Sequence, residues 1–435
     1  RLGGMDMGDQ YFHSVVLDDS ICIGCTNCMR RCPTEAIRVR DKKAVIIKER
    51  CIDCGECIRV CPSHAQKSIT DSLERLKEFK YNVAIPSVAL YGQFSSNTNM
   101  DVVYQGLRHL GFDYVFDEGI AADILSIVIS DMINNKNLIK PIISSYCPAV
   151  RRLIQVSFSS LIDNIITVES PMEIAGRIAR DMAVNKYGYK PEDIGVFYLT
   201  PCPAKVTSIK NPIGIKKSSL DGAIAINNIY GKLMKKIKHN DSLENIYRFE
   251  RASPSGLGWA RVGGQSYSLA IDNYIAVDGI ENVMKILEEI ELGKLDGVMY
   301  FEGLACVGGC VGGPLNVENP FIARSIIRKL SLDTLREKKD DSNFISKENI
   351  NIYNKKHFIN WTESIEPKVI LTLDEDIKKA IEKIEKIEII EKSLPGLDCG
   401  SCGAPTCRAL AEDTVRGFAK VEDCIFDLKR RANKP

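Results

Sequence analysis

The stretch Glu302-Gly303-Leu304-Ala305-Cys306-Val307-Gly308-Gly309-Cys310-Val311-Gly312-Gly313-Pro314 puts two cysteines four residues apart among five glycines. Two thiolates so placed can hold one cluster. The glycines are expected to remove Cβ atoms where backbone comes close to something bulky and inorganic, and to permit left-handed φ values. Two more cysteines complete the set: Cys147 in Ser144-Ser145-Tyr146-Cys147-Pro148, and Cys202 in Thr200-Pro201-Cys202-Pro203-Ala204-Lys205. Short apolar runs at 141–143, 194–199 and 297–301 read as buried strands, so Cys147, Cys202 and Cys306 emerge from strand ends. In open α/β sheets that is where sites gather.

The remaining cysteines form two further groups. Residues 17–65 carry Cys22-x2-Cys25-x2-Cys28-x3-Cys32-Pro33 and its repeat Cys51-x2-Cys54-x2-Cys57-x3-Cys61-Pro62. This is the bacterial two-cluster ferredoxin signature, in which the fourth cysteine of each run ligates the other cluster. One 4Fe-4S cluster therefore takes Cys22, Cys25, Cys28 and Cys61, and the second takes Cys51, Cys54, Cys57 and Cys32. Zinc needs only pairs of cysteines, whereas this repeated spacing wraps the corners of a cubane. Near the C-terminus Cys399-x2-Cys402-x4-Cys407-x16-Cys424, with Gly400, Gly403 and Pro405 shaping the turn, can hold zinc or a 4Fe-4S cube. All 16 cysteines are thereby assigned as metal ligands, and none is left over.

At the strand-end motifs the chain resembles the catalytic domain of the iron-only (FeFe) hydrogenases. Their active centre, the H-cluster, joins a 4Fe-4S cubane to a two-iron unit carrying CO, cyanide and a dithiolate. The resemblance implies that Cys147, Cys202, Cys306 and Cys310 ligate the cubane and that Cys310 bridges to the two-iron unit. It implies that Lys205 hydrogen-bonds one cyanide, as a compact ammonium suits an anionic acceptor, and that Pro86 and Ser87 meet the other. Residues 111–123 resemble the family's second strand and the helix after it. The tail resembles the small 4Fe-4S domain that follows the catalytic domain in sensory-type members. Three accessory 4Fe-4S clusters accompany the H-cluster on this reading.

The chain of 435 residues exceeds one ordinary core. At 45% apolar and 26% charged it has the composition of a soluble globular protein, and a net charge of +1 argues against a nucleic-acid surface. No apolar run reaches membrane-span length, and no secretory signal is visible. Cysteine-rich sequence without such a signal points to metal ligation in a reducing cytoplasm. Between residues 18 and 62 nine Lys or Arg face seven Asp or Glu, so charge does not name a docking partner for the ferredoxin module.

The expected order is a scar and lead at 1–16, a two-cluster ferredoxin-like α+β domain at 17–72 and an H-cluster domain at 73–345. A connector and helix at 346–390 and a small 4Fe-4S domain at 391–435 follow. Residues 68–80 read as a linking helix and 82–90 as the first strand of the large domain. Helical patterns at 99–110, 120–134, 171–185, 225–236 and 278–291 then alternate with apolar runs, indicating an α/β domain with parallel strands. The resemblance implies two lobes around the H-cluster. Residues 253–265 match no phosphate-loop pattern and read as a cluster-covering loop, and 338–367 as an irregular connector. Ile377, Ile381, Ile384 and Ile387 share a face of a helix at 374–390, which either packs or makes a homodimer.

The chain departs from the family at the proton route. Catalytic members usually have adjacent cysteines where this chain has Tyr146-Cys147, the first of which is the proton donor. Thr200 and Ser208 replace a methionine and a glutamate of the motif around Cys202. Tyr146, Glu302, Glu250 and Glu118 are the candidates for another relay, while the five histidines sit in no ligand spacing. The resemblance implies reversible H2 oxidation and proton reduction, here slow and used to sense H2 or redox state. It also implies maturation factors that supply the two-iron unit and a partner that is a ferredoxin or a signalling protein. An ordinary hydrogenase with an unusual proton path is one alternative. A hydrogenase-like scaffold lacking the two-iron unit is another, against which Lys205, Pro86 and Ser87 speak.

Overall fold

The computed structural model describes residues 12–135, 138–238, 250–337, 359–368, 370 and 372–432. Residues 1–11 of the expected lead at 1–16, His239, His357 and most of the connector lie outside the described residues. The chain divides into two compact units, one formed by Val15–Ser68 with Pro367–Pro435, the other by Arg1–Ser14 with Ile69–Glu366. The sequence reading separated 17–72 from 391–435; in the structure the C-terminal segment joins the ferredoxin-like segment in one unit.

In that smaller unit β1 (Val15–Leu17) pairs antiparallel with β4 (Gln66–Ser68), and β2 (Ile37–Arg40) with β3 (Lys43–Ile46). The β2–β3 turn places Asp41 and Lys42 at φ 50° and 61°, the two positive φ values that a tight hairpin demands. Short helices Asn27–Arg30 and Glu56–Val60 carry Cys28 and Cys57, and each follows a residue with positive φ, Thr26 or Gly55. In the C-terminal segment, helix Ile377–Ser393 starts at Asp376, whose carboxylate accepts the Lys378 N–H at 2.9 Å. Its isoleucine stripe packs only at one end. Ile387 is buried with Leu394 and Leu410, whereas Ile377, Ile381 and Ile384 remain 76%, 52% and 41% exposed.

The larger unit contains β5 (Tyr81–Pro86), β6 (Tyr114–Val115), β7 (Ile142–Ile143), β8 (Ile194–Thr200), β9 (Gly222–Ala225), β10 (Tyr274–Asp278) and β11 (Tyr300–Leu304). They form two parallel sheets, ordered β6-β5-β8-β9 and β10-β11-β7. Every residue of β5 and β8 is buried, as expected of parallel strands covered on both faces. Helices Met100–Arg108, Glu118–Asn135, Pro171–Tyr187, Ile226–Lys238 and Ile280–Glu291 stand where the helical patterns placed them.

Two local expectations fail for backbone reasons. The linking helix shrinks to a 3-10 turn, Leu73–Glu78, because the Ile69 and Asp71 N–H groups donate to Ser14 and Ala223 carbonyls and hold that stretch extended. The strand expected at 82–90 ends at Pro86, after which Ser87 accepts the Ala89 N–H and opens a 3-10 turn, Val88–Gln93.

Candidate functional site

Three of the four cysteines of the large unit follow strand ends. Cys147 follows β7 and precedes helix Pro148–Ser157; Cys202 follows β8 and precedes helix Pro203–Lys210. In both, proline occupies the first helical turn, where its missing N–H costs nothing. Cys306 lies two residues beyond β11, and Cys310 opens the 3-10 turn Cys310–Gly312. Burial pushes the Cys202 thiol up to about 12, opposed by Lys205 and reinforced by Cys310 and Cys147, so these three sulfurs share one neighbourhood. Cys310 is likewise raised by burial.

Gly308 and Gly309 take the positive φ values expected of them, 86° and 93°, and the glycines around Cys310 also make room for protein backbone. A Cβ on Gly312 would stand 1.9 Å from the Val307 carbonyl oxygen, one on Gly313 2.3 Å from that of Pro201, and one on Gly309 2.8 Å from the Val262 nitrogen. Protein backbone demands the space. The loop is thereby pressed onto the Cys202 motif and onto residues 260–262, where the Val311 N–H donates to Ala260 O and the Val262 N–H to Gly308 O. Residues 253–265 thus cover the cysteine loop directly.

Lys205 is fully buried. Its ammonium donates to the Tyr198 hydroxyl at 2.7 Å and lies 3.4 Å from Glu118 Oε1, while the Tyr198 hydroxyl donates to the same Glu118 oxygen at 2.8 Å. Glu118 Oε2 accepts the Val88 N–H at 3.0 Å, one residue beyond Ser87. Burial opposes the Lys205 charge, but Glu118 and the surrounding rings hold its pKa well above the usual lysine range. The ammonium also lies 4.9 Å from the centre of the Tyr146 ring. Tyr146 itself is 2% exposed, with its hydroxyl 3.4 Å from Cys310 Sγ and its ring edge-on to Trp259 at 5.3 Å. Burial and the Cys310 charge raise the phenol's pKa well above its ordinary value.

The structure therefore brings together Tyr146, Lys205, Cys147, Cys202 and Cys310, with Ser87 reaching the group through Tyr198. Pro86 ends β5 and pairs with Leu199 on the neighbouring strand. Glu118 joins the group. Glu250 is exposed. Glu302 is buried, and its carboxylate is spent on backbone: it accepts the Gly263 N–H at 3.0 Å, the Ser266 N–H at 2.8 Å and the Ser266 hydroxyl at 2.7 Å. As a proton relay it would have to release these donors, so the geometry supports a bracket for the covering loop. Glu302→Ala is expected to lower unfolding free energy by about 1–3 kcal/mol, the cost of buried donors left unpaired. Chemical denaturation checks this, and Glu302→Gln should recover part of the loss. Tyr198 went unnoticed in the sequence because it sits in an apolar run, where a tyrosine is ordinarily core.

In the smaller unit, one cavity is lined by Cys22, Cys25, Cys28 and Cys61, and a second by Cys32, Cys51, Cys54 and Cys57. A third is lined by Cys399, Cys402, Cys407 and Cys424. The exchange of the fourth cysteine between the two ferredoxin runs, read from spacing, is thus realised in space. The donor sets fit iron-sulfur cubes: four sulfurs line each of the three cavities. Among the described residues no helix is long and apolar enough to cross a membrane.

An α/β unit whose strand ends gather cysteines about a buried lysine, in one chain with a ferredoxin-like module, defines an iron-sulfur oxidoreductase. The family described as iron only hydrogenase large subunit, C-terminal domain, matches residues 80–270 and 233–314, more than half of the chain, and the protein belongs to that family. A 4Fe-4S dicluster domain matches 14–62, and a proposed Fe-S cluster segment matches 394–426. The chain is 24% identical over 366 residues to the periplasmic [Fe] hydrogenase large subunit of Nitratidesulfovibrio vulgaris, covering 69% of this chain and 86% of that one. It is 25% identical over 300 residues to iron hydrogenase 1 of Clostridium pasteurianum, covering 56% of this chain and 50% of that one. A solved [FeFe]-hydrogenase HydA1 variant from Chlamydomonas reinhardtii superposes with a TM-score of 0.48 at 17% identity, over 68% of this chain and 98% of that one.

Proposed function

We propose that the protein is a sensory-type FeFe hydrogenase that exchanges H2 with protons and electrons slowly and reports H2 or redox state to a partner. The observation that carries this reading is Tyr146, a buried phenol of raised pKa beside Cys310 where the family's proton donor is a thiol. A bound H-cluster supplies reversible conversion of H2 to two protons and two electrons. Around it the chain's own groups have separate tasks. Cys147, Cys202, Cys306 and Cys310 would hold the cubane, and Cys310 would also hold the two-iron unit. Lys205 places a buried positive charge for a cyanide, with Tyr198 and Glu118 orienting the ammonium. Pro86 and Ser87 close the opposite side, and the 253–265 loop excludes water.

A second reading, an ordinary hydrogenase with an unusual proton path, is favoured by one feature. Glu118, Tyr198 and Lys205 form a continuous buried hydrogen-bonded line ending under the Tyr146 ring. Rates separate the two readings: a sensor turns over slowly even with electron donor in excess, and a catalyst does not. On either reading the accessory tetrads would hold clusters that wire electrons toward a ferredoxin or signalling partner in the cytoplasm, and dedicated maturation factors would supply the two-iron unit.

Anaerobically reconstituted protein should contain about sixteen iron atoms before the two-iron unit is added, four for each of the four cysteine tetrads. Stoichiometric zinc lost on Cys399→Ser would overturn the tail assignment. Infrared bands of metal-bound CO and cyanide, appearing only after a synthetic two-iron unit is supplied, test the H-cluster itself. Their absence would leave the scaffold reading.

A further inference from the structure

The C-terminal segment carries the last four cysteines, and nothing in its spacing says what it touches. In the structure it meets the β2–β3 hairpin of the ferredoxin-like segment, within the same compact unit. Arg38 Nε donates to Asp413 Oδ2 at 2.7 Å and Arg38 Nη2 to Asp413 Oδ1 at 3.2 Å, while Arg40 Nη2 donates to the same carboxylate at 2.7 Å. Arg38 and Asp413 side chains are 6% and 7% exposed, so this is a buried, two-pronged pair with a second arginine on it. Arg50 Nη2 donates to both oxygens of Glu412, at 2.6 and 2.7 Å.

Backbone contact accompanies the charges. The Val39 N–H donates to the Gly403 carbonyl at 2.9 Å, and Arg40 donates to the Cys402 carbonyl at 2.7 Å. A Cβ on Gly403 would lie 1.9 Å from the Val39 carbonyl oxygen, and one on Gly400 2.9 Å from the Met29 methyl. Val39 also lines the cavity of Cys22, Cys25, Cys28 and Cys61, and Met29 follows Cys28 in the chain. One hydrogen bond thus joins the residue after Cys402 to a residue in the wall of the ferredoxin cavity.

We propose that Arg38, Arg40 and Arg50 with Asp413 and Glu412 are positioning residues that clamp the tail tetrad beside the Cys22, Cys25, Cys28 and Cys61 tetrad, making the two direct electron-exchange neighbours. With both clusters bound, one electron would pass from a reduced tail cluster to its oxidised neighbour, or from a reduced neighbour to an oxidised tail cluster. This rests on the tail tetrad holding a 4Fe-4S cluster, and it is independent of whether the H-cluster turns over.

The test is the electron paramagnetic resonance spectrum of the full chain, reconstituted with iron and sulfide and photoreduced, without the two-iron unit. In the native chain the tail cluster should split or broaden the signals of the ferredoxin clusters. Arg50→Glu should abolish that interaction while iron content stays unchanged, and the swapped pair Arg50→Glu with Glu412→Arg should restore it. Because Asp413 is buried, Asp413→Asn serves as a milder second variant, expected to weaken the interaction without loss of iron. The proposal is overturned if Cys399→Ser merely subtracts an isolated signal and leaves the other lines unaltered. It also fails if Arg50→Glu and Asp413→Asn both keep the native line shape, or if the tail holds zinc. Missing H2 turnover with the magnetic interaction intact would count against the hydrogenase reading alone.

Discussion

Tyr146→Cys is expected to raise H2 production of the fully assembled protein by ten- to a hundredfold. A positioned general acid contributes about 10² to 10⁴-fold and works best with a pKa near the working pH. The buried phenol, raised well above its ordinary range, stands far from that condition, whereas an ordinary thiol lies near ~8.5. Each tenfold gain corresponds to about 1.4 kcal/mol off the barrier. Removing the ring has its own cost, since it packs edge-on against Trp259 and lies under the Lys205 ammonium. Emptying a buried aromatic site typically costs about 3–5 kcal/mol, so thermal unfolding should be followed alongside the rate. Ser208 now accepts a hydrogen bond from Arg151 at 3.3 Å, so Ser208→Glu would place a carboxylate on that guanidinium. The double change Tyr146→Cys with Ser208→Glu should exceed the single one if both positions belong to one path. The measurement is rate against pH with artificial electron donor in excess. Full activity in Tyr146→Phe, with no gain in either cysteine variant, would move the proton path to the Glu118 and Tyr198 line.

Cys310→Ala is expected to abolish the CO and cyanide infrared bands altogether while the three other tetrads keep about twelve iron atoms. Cys310 is tied to its surroundings: its hydroxyl neighbour is Tyr146, and its charge is felt by Cys202, Tyr146 and Lys205. Gly309, Gly312 and Gly313 offer no side chain in its place, and their Cβ positions are filled by backbone. The fold should survive, since alanine leaves the backbone contacts of Gly308 and Val311 intact. An unchanged infrared spectrum in this variant would refute the assignment of Cys310 as a shared ligand.

The sequence by itself determined what spacing and short periodicity can carry. The two repeated cysteine runs, the strand-end placement of Cys147, Cys202 and Cys306, and the five long helices were legible because each depends on residues a few positions apart, and the exchange of Cys32 and Cys61 between the two cavities followed from the signature of the repeat. Only the tertiary structure decided the partners of buried charges. Lys205 meets Glu118 across 87 residues and Arg38 meets Asp413 across 375, and no local pattern encodes such a pair. Glu302 shows the limit from the other side: its place beside the cysteine loop suggested chemistry, yet its oxygens serve the turn at 263–266. A buried carboxylate must find donors, and which donors come within reach is settled by packing. For the same reason the tail, which spacing left open between zinc and iron, gained its neighbour only when Val39 and Gly403 were brought within one hydrogen bond.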